Sequence, residues 1–246
     1  MGKGFQCKQF FVGHDHCAMK VSTDALVLGS WISTDNASKA LDIGCGSGIL
    51  SLMLRQRMEK ASEITALDTD AGAVRQTRLN IANSPWPNTV NILHCPLARF
   101  QATDTFNLIV CNPPYFSNAG VGQHAHLKQS DERQNARHDN ALPPIELFSW
   151  VAQYLSETGR FYCLYPASRL AEITNVAATV NLHLSAALKL HHSATKSAHA
   201  VALKFERGQA PAQLHTGIPT RLFIRNDDNQ YTHAYKSLCH AFYLNF

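Results

Sequence analysis

The sequence predicts an α/β fold in one domain, with a doubly wound, mostly parallel sheet of seven strands. Three observations predict it. Short apolar runs alternate with segments of helical spacing. One early run leads straight into glycines at every second position, Gly44, Gly46 and Gly48. The joins between runs are short, and no Pro/Gly/Ser-rich linker divides the 246 residues.

Each element has a local reason. Residues 5–21 read as one or two short strands around Phe5, Phe10, Phe11 and Val12. Ser22 or Thr23 caps a helix over 24–31. Residues 39–43 form a strand entering the glycines, and 49–58 a helix leaving them. Residues 64–67 form the next strand, ending at Asp68. Asp70 caps a helix to about residue 82, with Ala71, Val74, Leu79 and Ile81 as its buried face, and Ser84-Pro85-Trp86-Pro87-Asn88 breaks it. Strands follow over 90–93 and 106–111. Residues 116–142 are polar with few apolar anchors and read as a long functional loop. Pro143 and Pro144 open a helix through Tyr154, stopped near Gly159. A strand over 161–165, a helix after Pro166, and strands over 182–190 and 198–205 complete the sheet. A short strand over 221–225 and a helix around 231–242 close the chain. The predicted organisation is an extension over 1–38, a catalytic core over 39–205, and a final strand and helix within 206–246.

Composition narrows the function. Hydrophobic residues at 45% and charged residues at 16% exclude a disordered chain. The net charge of +4 permits a nucleic-acid partner without demanding one. No run approaches the roughly 18 apolar residues of a spanning helix, so no membrane partner is expected. The first residues lack the apolar core of a signal peptide, and Gln6 breaks a myristoylation pattern. Seven scattered cysteines then suggest reduced thiols in a cytoplasm.

Leu41-Asp42-Ile43-Gly44-Cys45-Gly46-Ser47-Gly48 carries the first chemical signal. Glycines there allow a sharp turn and close approach of a ligand to backbone. Asp68 stands where an acid can accept both ribose hydroxyls of a nucleoside. A dinucleotide pattern would place the third glycine one residue later. Asp42 inside the run suits a cationic sulfonium with an amino-acid tail better than a pyrophosphate. The pattern resembles the S-adenosylmethionine loop of class I methyltransferases, a Rossmann-like fold.

Asn112-Pro113-Pro114-Tyr115, at the end of the 106–111 strand, carries the second. A planar amine attacks poorly because its lone pair is delocalised. The Asn112 side-chain oxygen and the Pro113 carbonyl can accept both of its N–H bonds and favour the tetrahedral form. Pro113 and Pro114 stiffen the turn, and Tyr115 offers a ring on which a flipped base can stack. Together the two motifs indicate methylation of a planar nitrogen. They leave open adenine, guanine and glutamine as targets, and a non-catalytic RNA-binding protein as the alternative outside enzymes.

Length reduces that set. Only about 40 residues precede the glycine loop, too few for the extra N-terminal domains of glutamine and some ribosomal RNA methylases, and no target-recognition domain for DNA is expected. The whole chain resembles the bacterial tRNA(1)(Val) adenine N6-methyltransferases. The resemblance rests on Lys20-Val21-Ser22-Thr23-Asp24, Asn83-Ser84-Pro85-Trp86-Pro87, the Asn112–Tyr115 motif, Asp228-Asn229-Gln230-Tyr231 and Ala241-Phe242-Tyr243-Leu244. It implies S-adenosylmethionine as cofactor and tRNA as substrate, with methylation of the exocyclic amine of the adenine 3′ of the anticodon. On this reading Thr23 and Asp24 line the methionine end of the cofactor. One departure is that Cys95-Pro96-Leu97 stands where members often carry an acid for the cofactor's adenine. Asp104 is a distant substitute, and backbone groups are the expected holders.

Lys128, Arg133 and Arg137 are the predicted phosphate contacts, just after the catalytic motif. Cys7, His14, His16 and Cys17 lack a common zinc spacing, so no metal is predicted. His191, His192 and His199 read as hydrogen-bonded or solvated. No obligate protein partner is evident.

Overall fold

The computed structural model describes residues 3–17, 19–113, 142–208 and 220–244. The chain opens with an antiparallel hairpin, β1 (Gly4–Gln6) and β2 (Phe11–Gly13). Helix α1 (Thr23–Trp31) follows, its Ser22 hydroxyl accepting from the Ala25 amide at 3.1 Å. Then come β3 (Lys39–Ile43), α2 (Ile49–Arg57), β4 (Glu63–Asp68), α3 (Ala71–Ala82), β5 (Asn91–His94) and β6 (Phe106–Cys111). After the second described break come α4 (Pro144–Tyr154), β7 (Leu155–Pro166), α5 (Leu170–Thr179), β8 (Leu182–His191) and β9 (Ala198–Arg207). The C-terminal part holds β10 (Thr220–Phe223) and α6 (His233–Cys239).

Among the described residues the main sheet has eight strands, not seven, in the order β10-β8-β9-β7-β6-β3-β4-β5. The eighth is β10, which adds to β8 in parallel at the far edge. Every pairing is parallel except those of β9, which returns antiparallel between β7 and β8. Strand β7 is longer than its apolar run. It begins directly at Leu155, so Gly159 lies inside a strand and does not end the helix.

Alternation across the strands builds two cores. Ala40, Leu108, Val110, Leu164 and Ala202 face α1, α2 and α6. Leu41, Ile43, Ile109, Phe161 and Val201 face α4 and α5. Buried on both sides, these strands read as continuous apolar runs, as parallel strands must. Phe5 packs on Tyr243 and Phe10 on Trp86, so the hairpin aromatics do pack.

Helix α3 departs from expectation. Leu79 is 43% exposed, and Gln76, Thr77 and Asn80 are buried instead. Their side chains bind backbone, which is why burial is tolerated. Asn80 accepts from the Gly13 amide at 3.0 Å and donates to the Gly13 and Ser47 carbonyls at 2.8 Å each. Gln76 accepts from the His16 amide at 2.9 Å, and Thr77 donates to the Gly46 carbonyl at 2.8 Å. One helix face therefore ties the N-terminal segment to the glycine loop.

Candidate active site

The chain runs outward from β3 through β4 to β5, then returns to place β6 on the other side of β3. Such a reversal leaves a crevice at the carboxyl ends of the two central strands, where ligands bind in open α/β sheets. The glycine loop follows β3 and Asn112 follows β6. Since Ile43 and Cys111 are in register, Gly44 and Asn112 leave adjacent strands side by side, about 5 Å apart in backbone spacing.

Gly44, Gly46 and Gly48 have φ of 69°, 56° and 78°, a left-handed region that other residues enter at a cost. A Cβ on Gly44 or Gly46 would meet nothing within 4 Å, so the loop presents bare backbone to open space. Gly48 has a different reason. A Cβ there would come within 2.8 Å of the Thr77 methyl, so its absence lets α3 pack on the loop. Gly48→Ala combines this clash with left-handed strain, and we expect a loss of about 2–3 kcal/mol in urea unfolding. An unchanged midpoint would refute this account of the turn.

Asp68 braces the loop. Its Oδ2 accepts from the Gly46 amide and its Oδ1 from the Asp70 amide, each at 2.9 Å. A carboxylate has about four acceptor sites, so the half-buried Asp68 retains capacity for hydroxyl donors. Asp42 is fully buried on the α2 side of β3, where Ser51 donates to its Oδ2 at 2.6 Å. Its Oδ1 is buried without a hydrogen-bond partner. Burial raises its pKa to about 7, opposed by the bonds from Ser51. Asn112 Oδ1 is likewise buried, with no hydrogen-bond partner among the described residues. A buried amide oxygen without a partner among the described residues, as at Asn112, costs stability unless a ligand satisfies it.

Other predicted residues fall differently. Pro113 is buried beside Asn112, whereas Pro114, Tyr115, Lys128, Arg133 and Arg137 lie outside the described residues. Thr23 and Asp24 reach the same sheet edge at the start of α1, in a cavity where His199 donates to Asp24 at 3.0 Å. Asp104 stands at the opposite edge, paired with Lys39 at 2.8 Å, and is therefore no substitute for an acid after β5.

The sequence reading missed the N-terminal segment's place in the site. His16 is tied to Gln76, and its carbonyl would lie 2.6 Å from a Cβ on Gly72. Burial, then the nearby Asp68 and Asp70 carboxylates, push the Cys17 thiol up to about 12. This segment walls the crevice beside Asp68. The available signal was the polar trio Gln76, Thr77 and Asn80 on an otherwise apolar helix.

A bare glycine loop, an acid after the second strand of the sheet and an amide oxygen across the switch point define a methyltransferase of the doubly wound α/β class. The methyltransferase small domain model matches residues 16–131. Solved structures share the fold: a predicted O-methyltransferase from Agrobacterium tumefaciens has a TM-score of 0.60 at 14% identity, over 88% of this chain and 95% of that one. A ribosomal protein L11 methylase from Lactobacillus delbrueckii subsp. bulgaricus has a TM-score of 0.56 at 17% identity, over 80% and 84%. Sequence likeness goes further. A tRNA1(Val) (adenine(37)-N6)-methyltransferase from Salmonella typhi is 35% identical, covering 98% of this chain and 95% of that protein. One from Escherichia fergusonii is 36% identical over the same shares. The chain belongs to the tRNA1(Val) (adenine(37)-N6)-methyltransferase family.

Proposed function

We propose that this protein uses S-adenosylmethionine to methylate the exocyclic N6 amine of an adenine beside the anticodon of valine tRNA. The observation that carries the reading is the unpartnered Asn112 oxygen at the switch point, one strand from the bare glycine loop, in a chain of this family. The cradle fits the cofactor. Gly44 and Gly46 leave room against backbone, Asp68 can accept ribose hydroxyls, and Asp42 supplies acidity beneath the loop. Asp24, at the start of α1, accepts from His199 at 3.0 Å.

Bound there, S-adenosylmethionine supplies a methyl group on a sulfonium sulfur. The chain's own contribution is orientation. The Asn112 Oδ1 and the Pro113 carbonyl accept the two N–H bonds of the amine, aim its lone pair and favour its tetrahedral geometry. Tyr115 stacks the flipped base. No side chain acts as a nucleophile, and the amine proton leaves to solvent. All seven cysteines are free, which suits a reducing cytoplasm. Among the described residues no helix is long and apolar enough to cross a membrane.

The test offers labelled cofactor with total tRNA, total ribosomal RNA and a release factor in parallel. Label should enter tRNA as N6-methyladenosine. Label confined to ribosomal RNA or the release factor would replace this substrate assignment.

Asp42 gives a second test. A cationic cofactor favours the ionised carboxylate, so binding lowers the Asp42 pKa from about 7 and releases a proton. Cofactor affinity should therefore rise with pH up to about 7 and level off above it. At pH 6 the calorimetric enthalpy should depend on the buffer's ionisation enthalpy in wild type and not in Asp42→Asn. Buffer-independent binding in wild type would separate Asp42 from the cofactor. The sign for folding is opposite. A carboxyl with a raised pKa in the folded state favours folding most at low pH and loses that contribution as pH rises through about 7.

A further inference from the structure

The geometry points to a second RNA site: a cavity of about 360 Å³ at the carboxyl edge of the terminal strands, which grips a phosphodiester flanking the target adenine. It rests on the proposed tRNA reading and assigns that substrate a contact outside the methyl-transfer crevice. Thr23 and Asp24 of α1, His192 just after β8, His199 of β9, and Arg225 and Tyr231 of the tail line the cavity.

These residues are far apart in sequence and are held together by design of the backbone. The Ile224 amide donates to the His191 carbonyl and the Arg225 amide to the His192 carbonyl, each at 2.9 Å. The Arg225 guanidinium lies over the Tyr231 ring, 4.2 Å from its centroid, and donates to the Asn229 carbonyl at 2.5 Å. An arginine stacked in this way is pre-oriented, so little freedom is lost when its remaining donors meet an anion. The first turn of α1 adds the positive end of a helix. Asp24 is the one acid lining the cavity among the described residues, and it is paired with His199. That bond raises the His199 pKa and favours its cationic form.

The spacing is suitable. Strand β8 is three neighbours from β6, which places the cavity about 14 Å along the edge from Asn112. That is within reach of the backbone a few nucleotides from a flipped base.

The experiment uses the full chain, an unmodified valine tRNA transcript, and the variant Arg225→Gln. Lys60→Ala, an exposed cation lost elsewhere, controls for net charge. Arg225→Gln should raise the tRNA KM about tenfold, and each lost phosphate contact should flatten the log–log salt dependence by about 0.7–0.9. Cofactor affinity by calorimetry should match wild type. His192→Ala, an exposed change that leaves the Arg225–Tyr231 stack in place, should raise KM in the same direction and guards against a folding artefact in Arg225→Gln. Unchanged KM and salt slope in all these variants, with wild type still methylating tRNA, overturns the second site alone. A wild-type chain that labels no tRNA overturns the proposed function, and the tRNA phosphodiester as occupant falls with it.

Discussion

Asn112→Ala should cut single-turnover methylation of tRNA by about 100-fold or more while leaving cofactor affinity and the unfolding transition near wild type. Among the described residues the Asn112 oxygen has no hydrogen-bond partner, so removing it breaks no bond that it makes to them. Losing a buried acceptor without a partner even removes a desolvation cost. What is lost is the fixed direction of the amine, whose lone pair must turn out of conjugation toward the methyl group. Asn112→Asp keeps an acceptor and should retain more activity than alanine. A near-normal single-turnover rate in Asn112→Ala would remove Asn112 from the chemistry.

Asp68→Ala should weaken S-adenosylmethionine binding by about 1.5–3 kcal/mol, because charge-assisted bonds to two hydroxyls disappear. Here the fold also suffers, since the same carboxylate holds the Gly46 and Asp70 amides. Those bonds fix the loop in its left-handed conformation before any ligand arrives. The expected loss in stability is about 1–2 kcal/mol, read from urea unfolding of the apo protein. Asp68→Asn separates the two roles. It keeps an oxygen for one amide but loses the charge, so binding should fall further than stability does. Unchanged calorimetric affinity in Asp68→Ala would remove Asp68 from the cofactor site.

The motifs were legible because their signals are local. Glycines at 44, 46 and 48 announce left-handed backbone, and all three adopt it. Asp70 announces a helix start, and its side chain accepts from the Gly72 amide at 2.6 Å. Helix α3 shows where such reading fails. Periodicity assigned Leu79 inward, yet Asn80 and Gln76 are inside, because the partners they satisfy are backbone groups of residues 13 and 16 and the loop. Asp104 failed in the same way: its position in sequence said nothing about the sheet edge on which Lys39 holds it.

By itself the sequence determined the succession of strands and helices, the glycine cradle, the acid after the second strand of the sheet and the amide turn after β6. Backbone conformation, capping and apolar period act within a few residues, so the order of the chain records them directly. Only the tertiary structure decided that β10 joins as an eighth strand and that residues 13–17 wall the crevice. It also decided that Asp24, His199 and Arg225 meet in one cavity. Those contacts link residues up to about 200 positions apart. They arise from burial of two sheet faces and satisfaction of backbone groups across the whole domain, which leave no period in the sequence to read.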